Sequence, residues 1–329
     1  MVSWKRFIGM LLRAIPYRWL VQGLTAVCLA LAVGAAWAQG EPASSQMDCR
    51  FLTTENPESA RSAEPLKTEW LPRDDIFRPI LADPKQPQFF ASYQNVRFRQ
   101  AGQTINAGSV GFGETFGLWG RRQENGCEGL QVGLLAGVFS QFNLDAPSSD
   151  LLNSDFVVGI PVTLRNGAFS ARMRLYHQSG HVGDEFLLRN PGFNRLNLSF
   201  EELEAILSYE YRWARIYGGG GYLVERQPAL ARGKLQWGTE FRGPSRPMPF
   251  LGERLGDVRY VPVLGADFKS FEQMGWNVNT SVMGGLEWCS PKARRRFRVL
   301  ANYYHGFNPY GQFFNQKIQS FGIGLYLAF

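Results

Sequence analysis

The run Tyr176-His177-Gln178-Ser179-Gly180-His181-Val182-Gly183-Asp184-Glu185 concentrates the side chains best suited to chemistry. An imidazole and a hydroxyl two residues apart share one face of an extended strand. His177 as base and Ser179 as nucleophile would make the working pair of an ester hydrolase: the imidazole removes the hydroxyl proton as the serine attacks the carbonyl. An orienting acid has no assigned place, although Asp184 and Glu185 follow in a loop. His177, His181, Asp184 and Glu185 also invite a metal reading. His177 and His181 lie four apart, a spacing that suits a helix and not a strand entering a loop, so neither a metal nor a cofactor is expected. Gly218–Gly221 lacks the Lys-Ser/Thr of a phosphate loop and lies within a strand pattern, where glycine marks close packing.

The elements that must position this pair show period two. In Phe169–Leu175, Phe169, Ala171, Met173 and Leu175 alternate with Ser170, Arg172 and Arg174. His177 and Ser179 continue the apolar row and should face outward near a rim. Similar alternation runs through Leu130–Val138, Phe156–Leu164, Lys234–Arg242 and Trp276–Trp288. About twelve strands result, over 88–99, 104–118, 129–141, 153–165, 168–178, 199–212, 214–225, 232–242, 259–269, 275–288, 296–306 and 317–329. Glu114 falls on an apolar row.

Strand length separates a soluble sandwich from a membrane barrel. Soluble strands average about five or six residues; many here reach ten or more, enough to cross a bilayer when tilted. The chain has 36 glycines and 14% aromatic residues, and 19% of its residues are charged. Beyond the first forty residues there is no 18-residue apolar run, which argues against helical spans. The polar rows carry Arg172, Arg174, Glu202, Glu204, Glu210, Arg212, Arg296 and Arg298. In a lipid-embedded barrel such rows point inward, where opposite charges pair. Closure also satisfies every backbone group. The expected fold is therefore all-β: a closed antiparallel transmembrane β-barrel of about twelve strands over 88–329, preceded by an N-terminal periplasmic segment. Long loops at 142–152, 179–198 and 307–316 would lie outside the cell. Short turns at 119–128, 166–167 and 289–295 would lie in the periplasm, together with the longer 243–258.

Residues 1–38 read as a signal peptide: Lys5, Arg6, Arg13 and Arg18 precede an apolar stretch that ends in Ala36-Trp37-Ala38. Its removal takes four cations and no acid, so more than half of the formal charge of +7 goes with it. No basic run beside a recognisable motif remains, and nucleic acid is not an expected partner. Residues 39–87 form a linker and then a proline-rich segment, Trp70–Pro87, whose apolar residues should pack against the barrel. Cys49, Cys127 and Cys289 would share the periplasmic side, where a disulfide between two of them is allowed.

Phe321, Ile323, Leu325, Leu327 and Phe329 alternate up to a terminal aromatic residue. This resembles the C-terminal strand of bacterial outer-membrane proteins. The resemblance implies outer-membrane lipids as surroundings and recognition of Phe329 by the barrel-assembly machinery. WLPRDDIFRPILADPKQPQFF at Trp70–Phe90, YHQSGHVGDEF at Tyr176–Phe186 and PVLGADFKS at Pro262–Ser270 resemble an uncharacterised family of bacterial exported proteins, a domain of unknown function. His177-x-Ser179 is similar to the H-x-S of outer-membrane phospholipase A and lipid A deacylase, which implies base and nucleophile roles for these residues. The phospholipase continues with Asn-Gly where this chain has Gly180-His181. At this level a narrow pore or structural barrel is favoured, with lipid-ester hydrolysis through His177 and Ser179 as the alternative.

Overall fold

The computed structural model describes residues 65–72, 75–123, 128–248, 258–290 and 293–328. Residues 1–64, Cys49, Cys127, most of the 243–258 loop and Phe329 lie outside the described residues. The signal peptide, the disulfide and the terminal aromatic therefore remain expectations. Twelve antiparallel strands follow one another: β2 (Phe89–Phe98), β3 (Thr104–Arg122), β4 (Gly129–Asn143), β5 (Asp150–Asn166), β6 (Phe169–Val182), β7 (Leu198–Tyr211), β8 (Ala214–Gln227), β9 (Gly233–Arg242), β11 (Arg259–Phe271), β12 (Val278–Ser290), β13 (Ala293–Phe307) and β14 (Lys317–Ala328). Each pairs with the next, and β14 pairs with β2, so the sheet closes on itself. Two short pieces stand off the ring. β1 (Lys67–Trp70) extends the overhanging end of β3, and β10 (Arg246–Pro247) pairs with β11. One short helix, α1 (Asp184–Arg189), lies between β6 and β7.

Every expected strand is present, with ends moved by a few residues. Val278 opens β12 because Gly275 and Trp276 both take left-handed conformations in the preceding turn. Arg212 does not join the inward row. It sits with positive φ in the β7–β8 turn, its guanidinium over the Tyr211 ring.

The two rows separate as alternation requires. On β6, Ser170, Arg172, Arg174 and Tyr176 are buried, while Phe169, Met173 and Leu175 are more than half exposed on the outside. On β14, Phe321, Ile323 and Leu325 form the same kind of outer row. Such an apolar outer band around a polar interior is the pattern of a barrel made for lipid. Glu114 does stand on the outer side of β3, between the exposed Phe112 and Phe116. In β8 the glycine run lets neighbouring strands close up: a Cβ on Gly219 would meet the Ala205 carbonyl oxygen.

Most of the interior is filled. Three carboxylates gather guanidinium and ammonium groups: register sets one arginine directly across from each, and Lys234 and Arg242 of β9 reach Glu204 and Glu287 from a strand that is not adjacent. Glu204 lies opposite Arg174 and also binds Arg172 and Lys234. Glu240 lies opposite Arg215. Glu287 lies opposite Arg298 and also binds Arg242 and Arg296. Cross-strand pairing is the elementary stabilising unit of a sheet, and here it is fully desolvated.

The proline-rich segment completes the filling. It does not stay beneath the barrel: residues 75–88 run inside it. Phe77, Ile80, Leu81 and Ala82 are buried, and two guanidinium groups, Arg172 and Arg215, lie over the Phe77 ring. Arg78 donates to Glu240 at 2.8 Å, and the Leu81 amide donates to the other oxygen of that carboxylate at 2.7 Å. Higher up, Asp83 accepts from Lys269 at 2.5 Å, and Lys85 donates to Asp155 at 2.5 Å. Prolines suit this path because they need no ladder partner for a missing N–H. At the opposite end, the loop after β13 folds inward. Tyr310 and Phe313 are buried, and Gln312 donates to the carbonyls of Gly180 and Leu196.

Two outcomes follow from the filled interior. Glu240→Leu strands Arg78 and Arg215 without their shared carboxylate, and unfolding in urea should lose about 3–5 kcal/mol. A loss no larger than that of a surface pair, under about 1 kcal/mol, would contradict the buried network. Burial alone would push the Asp83 carboxyl up, but the Lys269 ammonium and the Lys85 amide outweigh it and hold it at about 2. A depressed carboxylate stabilises the fold above its unfolded pKa and loses that contribution as pH falls through its folded one. Asp83→Asn should therefore flatten the decline in stability between about pH 4 and about pH 2. An unchanged acid limb would count against the plug contact.

Candidate functional site

β6 and β7 pair over Phe169–Gly180 and Leu198–Tyr209, which sets His177 opposite Glu201 and Ser179 opposite Ser199. On the other side, β5 sets Val158 opposite His177 and Phe156 opposite Ser179. All six side chains lie on the outer face near the end of the barrel that carries the longer loops. The outward direction of His177 and Ser179 follows from the odd-numbered row that begins at Phe169, as the alternation predicts.

His177 Nδ1 lies 2.8 Å from Glu201 Oε1, and both side chains are about two-fifths exposed. A carboxylate can only accept, so Nδ1 carries the hydrogen and Nε2 is the nitrogen left to take a proton. This is the orientation a base needs when an acid holds it from behind. Ser179 stands two residues further along the strand, about 6.6 Å by backbone rise. No hydrogen bond joins it to His177 among the described residues, so the two side chains are aligned on one row and not yet engaged. The neighbouring surface is divided: Phe156 and Val158 form an exposed apolar edge on the β5 side, and Ser199 and Glu201 a polar one on the β7 side.

A β-bulge marks the same place. Glu201 pairs with Glu225 of β8 but Glu202 pairs with Leu223, so Val224 is extra. Bulges of this kind re-aim side chains and recur beside active sites. The extra residue lies in β8, while β7 keeps its alternation: Glu201 stands on the outer face and Glu202 inside, where Tyr176 donates to it at 2.6 Å.

Glu201 is the residue that sequence reasoning missed. The acids near in sequence, Asp184 and Glu185, lie instead in the first turn of α1. The metal reading fails to assemble: the His181 ring packs edge-on against Phe156, and no group of three or more His, Cys, Asp or Glu side chains suited to a metal occurs among the described residues. The Gly218–Gly221 run is strand throughout.

The fold can now be set beside known proteins. Outer membrane phospholipase A from Escherichia coli superposes with a TM-score of 0.50 at 15% identity, covering 78% of this chain and 95% of that one. The Salmonella typhi outer membrane phospholipase gives a TM-score of 0.49 at 14% identity, over 77% and 94% of the two chains. LpxR from Salmonella typhimurium gives 0.37 at 9% identity, over 73% and 99%. At such identities the likeness speaks for the fold, that of an outer-membrane-type barrel. No curated protein matches the chain in sequence. The model of a family described as "Protein of unknown function (DUF1207)" matches residues 11–329, and the chain belongs to that family.

Proposed function

We propose that this protein sits in a bacterial outer membrane as a closed barrel and hydrolyses a lipid ester at the outer leaflet. Ser179 is the nucleophile, His177 the base and Glu201 the acid that orients it. The observation that carries this reading is the 2.8 Å contact from His177 Nδ1 to Glu201, on the row that also presents Ser179. The apolar outer band supports the membrane setting. The plug and the paired interior argue against the narrow pore of the first expectation from the sequence, and are compatible with its other half, the structural barrel.

The chemistry follows the general pattern of a serine hydrolase. Rotation of the two side chains brings Ser179 Oγ to His177 Nε2. The hydroxyl then attacks the ester carbonyl carbon, and its proton passes to Nε2. Glu201 stabilises the imidazolium that forms. The imidazolium returns the proton to the leaving alkoxide, and water releases the acyl group by the same steps in reverse order. The strand amides around Ser179 are engaged in the ladder, so the developing oxyanion takes its hydrogen bond from side chains such as the Ser199 hydroxyl. Phe156 and Val158 give the acyl chain an apolar surface. Cleavage after residue 38, export, recognition of Phe329 by the assembly machinery and contact with outer-membrane lipids belong to the same reading and rest on the sequence.

The test uses the full mature chain in mixed micelles with phosphatidylethanolamine or lipid A, with released fatty acid as the readout. Ser179→Ala and His177→Ala should each lower turnover by about 10³-fold or more, and Glu201→Gln by about 10- to 100-fold. Because these side chains are partly exposed, heat-modifiable gel mobility should stay that of the native barrel. Turnover unchanged in Ser179→Ala would remove the hydrolase assignment, as would a wild-type protein inactive on both lipids. Single-channel events from the intact protein in planar bilayers would instead restore the pore.

A further inference from the structure

Above the plug the interior is not completely filled. A cavity of about 170 Å³ lies between the plug tip at Pro84 and Lys85 and the turns at the loop-bearing end. Leu230 and Met274, from the turns after β8 and β11, help to line it. Much of the wall is apolar and aromatic, through residues such as Phe200, Leu223, Phe271 and Phe314. A mainly apolar hollow with a few fixed polar groups is the usual composition of a small-molecule site.

Two amides supply those polar groups. Asn279 Oδ1 accepts from the Phe307 amide at 2.7 Å, and Asn308 Oδ1 accepts from the Tyr310 amide at 3.0 Å. These backbone bonds fix which way each side chain is turned, so both present their Nδ2 groups. Both residues line the cavity and are only 3% and 4% exposed, and neither Nδ2 has an acceptor among the described residues. A buried N–H donor without a partner is costly, about 1–3 kcal/mol, so each calls for an acceptor oxygen.

Most of the charged groups of the wall are matched by an opposite charge, whereas Arg232 donates to the carbonyls of Leu223 and Val224. Lys85 is held by Asp155, Lys269 by Asp83, Arg174 by Glu204, and Lys234 by Glu202 and Glu204. Asp267 accepts from Gln236 and Tyr217. What the wall has in excess is N–H donation, beside ammonium groups that can share a further acceptor. An alcohol would bring a hydroxyl hydrogen of its own that needs an acceptor. A carboxylate brings two acceptor oxygens and no donor.

We infer that this cavity binds a small amphipathic carboxylic acid, its carboxylate on Asn279 and Asn308 and its apolar body against the aromatic wall. The site is separate from the outer-face pair, since it lies on the inward side of β6 and β7. Calorimetric titration of the full mature chain in lipid nanodiscs tests it, with phenylacetate as probe and 2-phenylethanol as its uncharged counterpart. Phenylacetate should bind saturably and 2-phenylethanol at least about fivefold more weakly. Asn279→Ala and Asn308→Ala should each weaken phenylacetate by about five- to tenfold. Two variants guard against one failing to assemble, and gel mobility reports assembly. Ser179→Ala should bind as the wild type does, so failure of the hydrolase reading and failure of this one are distinguishable. Absence of saturable binding, equal binding of the two probes, or indifference to both Asn substitutions would overturn the assignment.

Discussion

Ring closure is the constraint on which everything else depends. Pairing β14 with β2 closes the ring and places each of its twelve strands between two partners. Once the ring is closed, each side chain has only two directions available, and alternation assigns them. The outer row can be as apolar as β14 makes it because the inner row takes the charges. The inner row can hold arginine and glutamate because register places them across from one another. The groups that look most out of place in sequence, such as the buried Glu204, Glu240 and Glu287, are thus the ones that keep the interior together.

The same geometry separates two kinds of polar residue. Buried pairs inside the barrel hold the plug and the wall in one arrangement, and removing one partner leaves a charge stranded. His177 and Glu201 form a pair of another kind. They are outside, partly exposed, and next to a bulge in β8. Such a pair contributes little to stability. Under the proposed hydrolysis, its position on the outer face offers that chemistry to the lipid beside it.

Much of this was legible in the residues. Period-two runs such as Phe169–Leu175 specify strand, face and approximate length, and twelve of them, each long enough to cross a bilayer, specify a closed barrel. The outward direction of His177 and Ser179 came from the same row. Glu201 did not, because the loop between β6 and β7 is long and nothing in it sets the register. Strand ends at 178 and 199 would have placed Phe200 across from His177, and a slip of one residue exchanges faces. The interior position of residues 75–88 was also hidden. Its prolines and mixed charges exclude regular structure, but the carboxylates that receive Arg78, Lys85 and the Leu81 amide, Glu240 and Asp155, come from two distant strands.

The central claim is that β6 presents one row of side chains to lipid and the other to a filled polar interior. It is tested most directly by nitroxide labels placed one at a time at positions 172 to 177 of the barrel in bilayers, with collisional quenching by oxygen measured at each. The account predicts strong quenching at 173, 175 and 177 and weak quenching at 172, 174 and 176. A uniform profile along the strand, or the opposite phase, would contradict it.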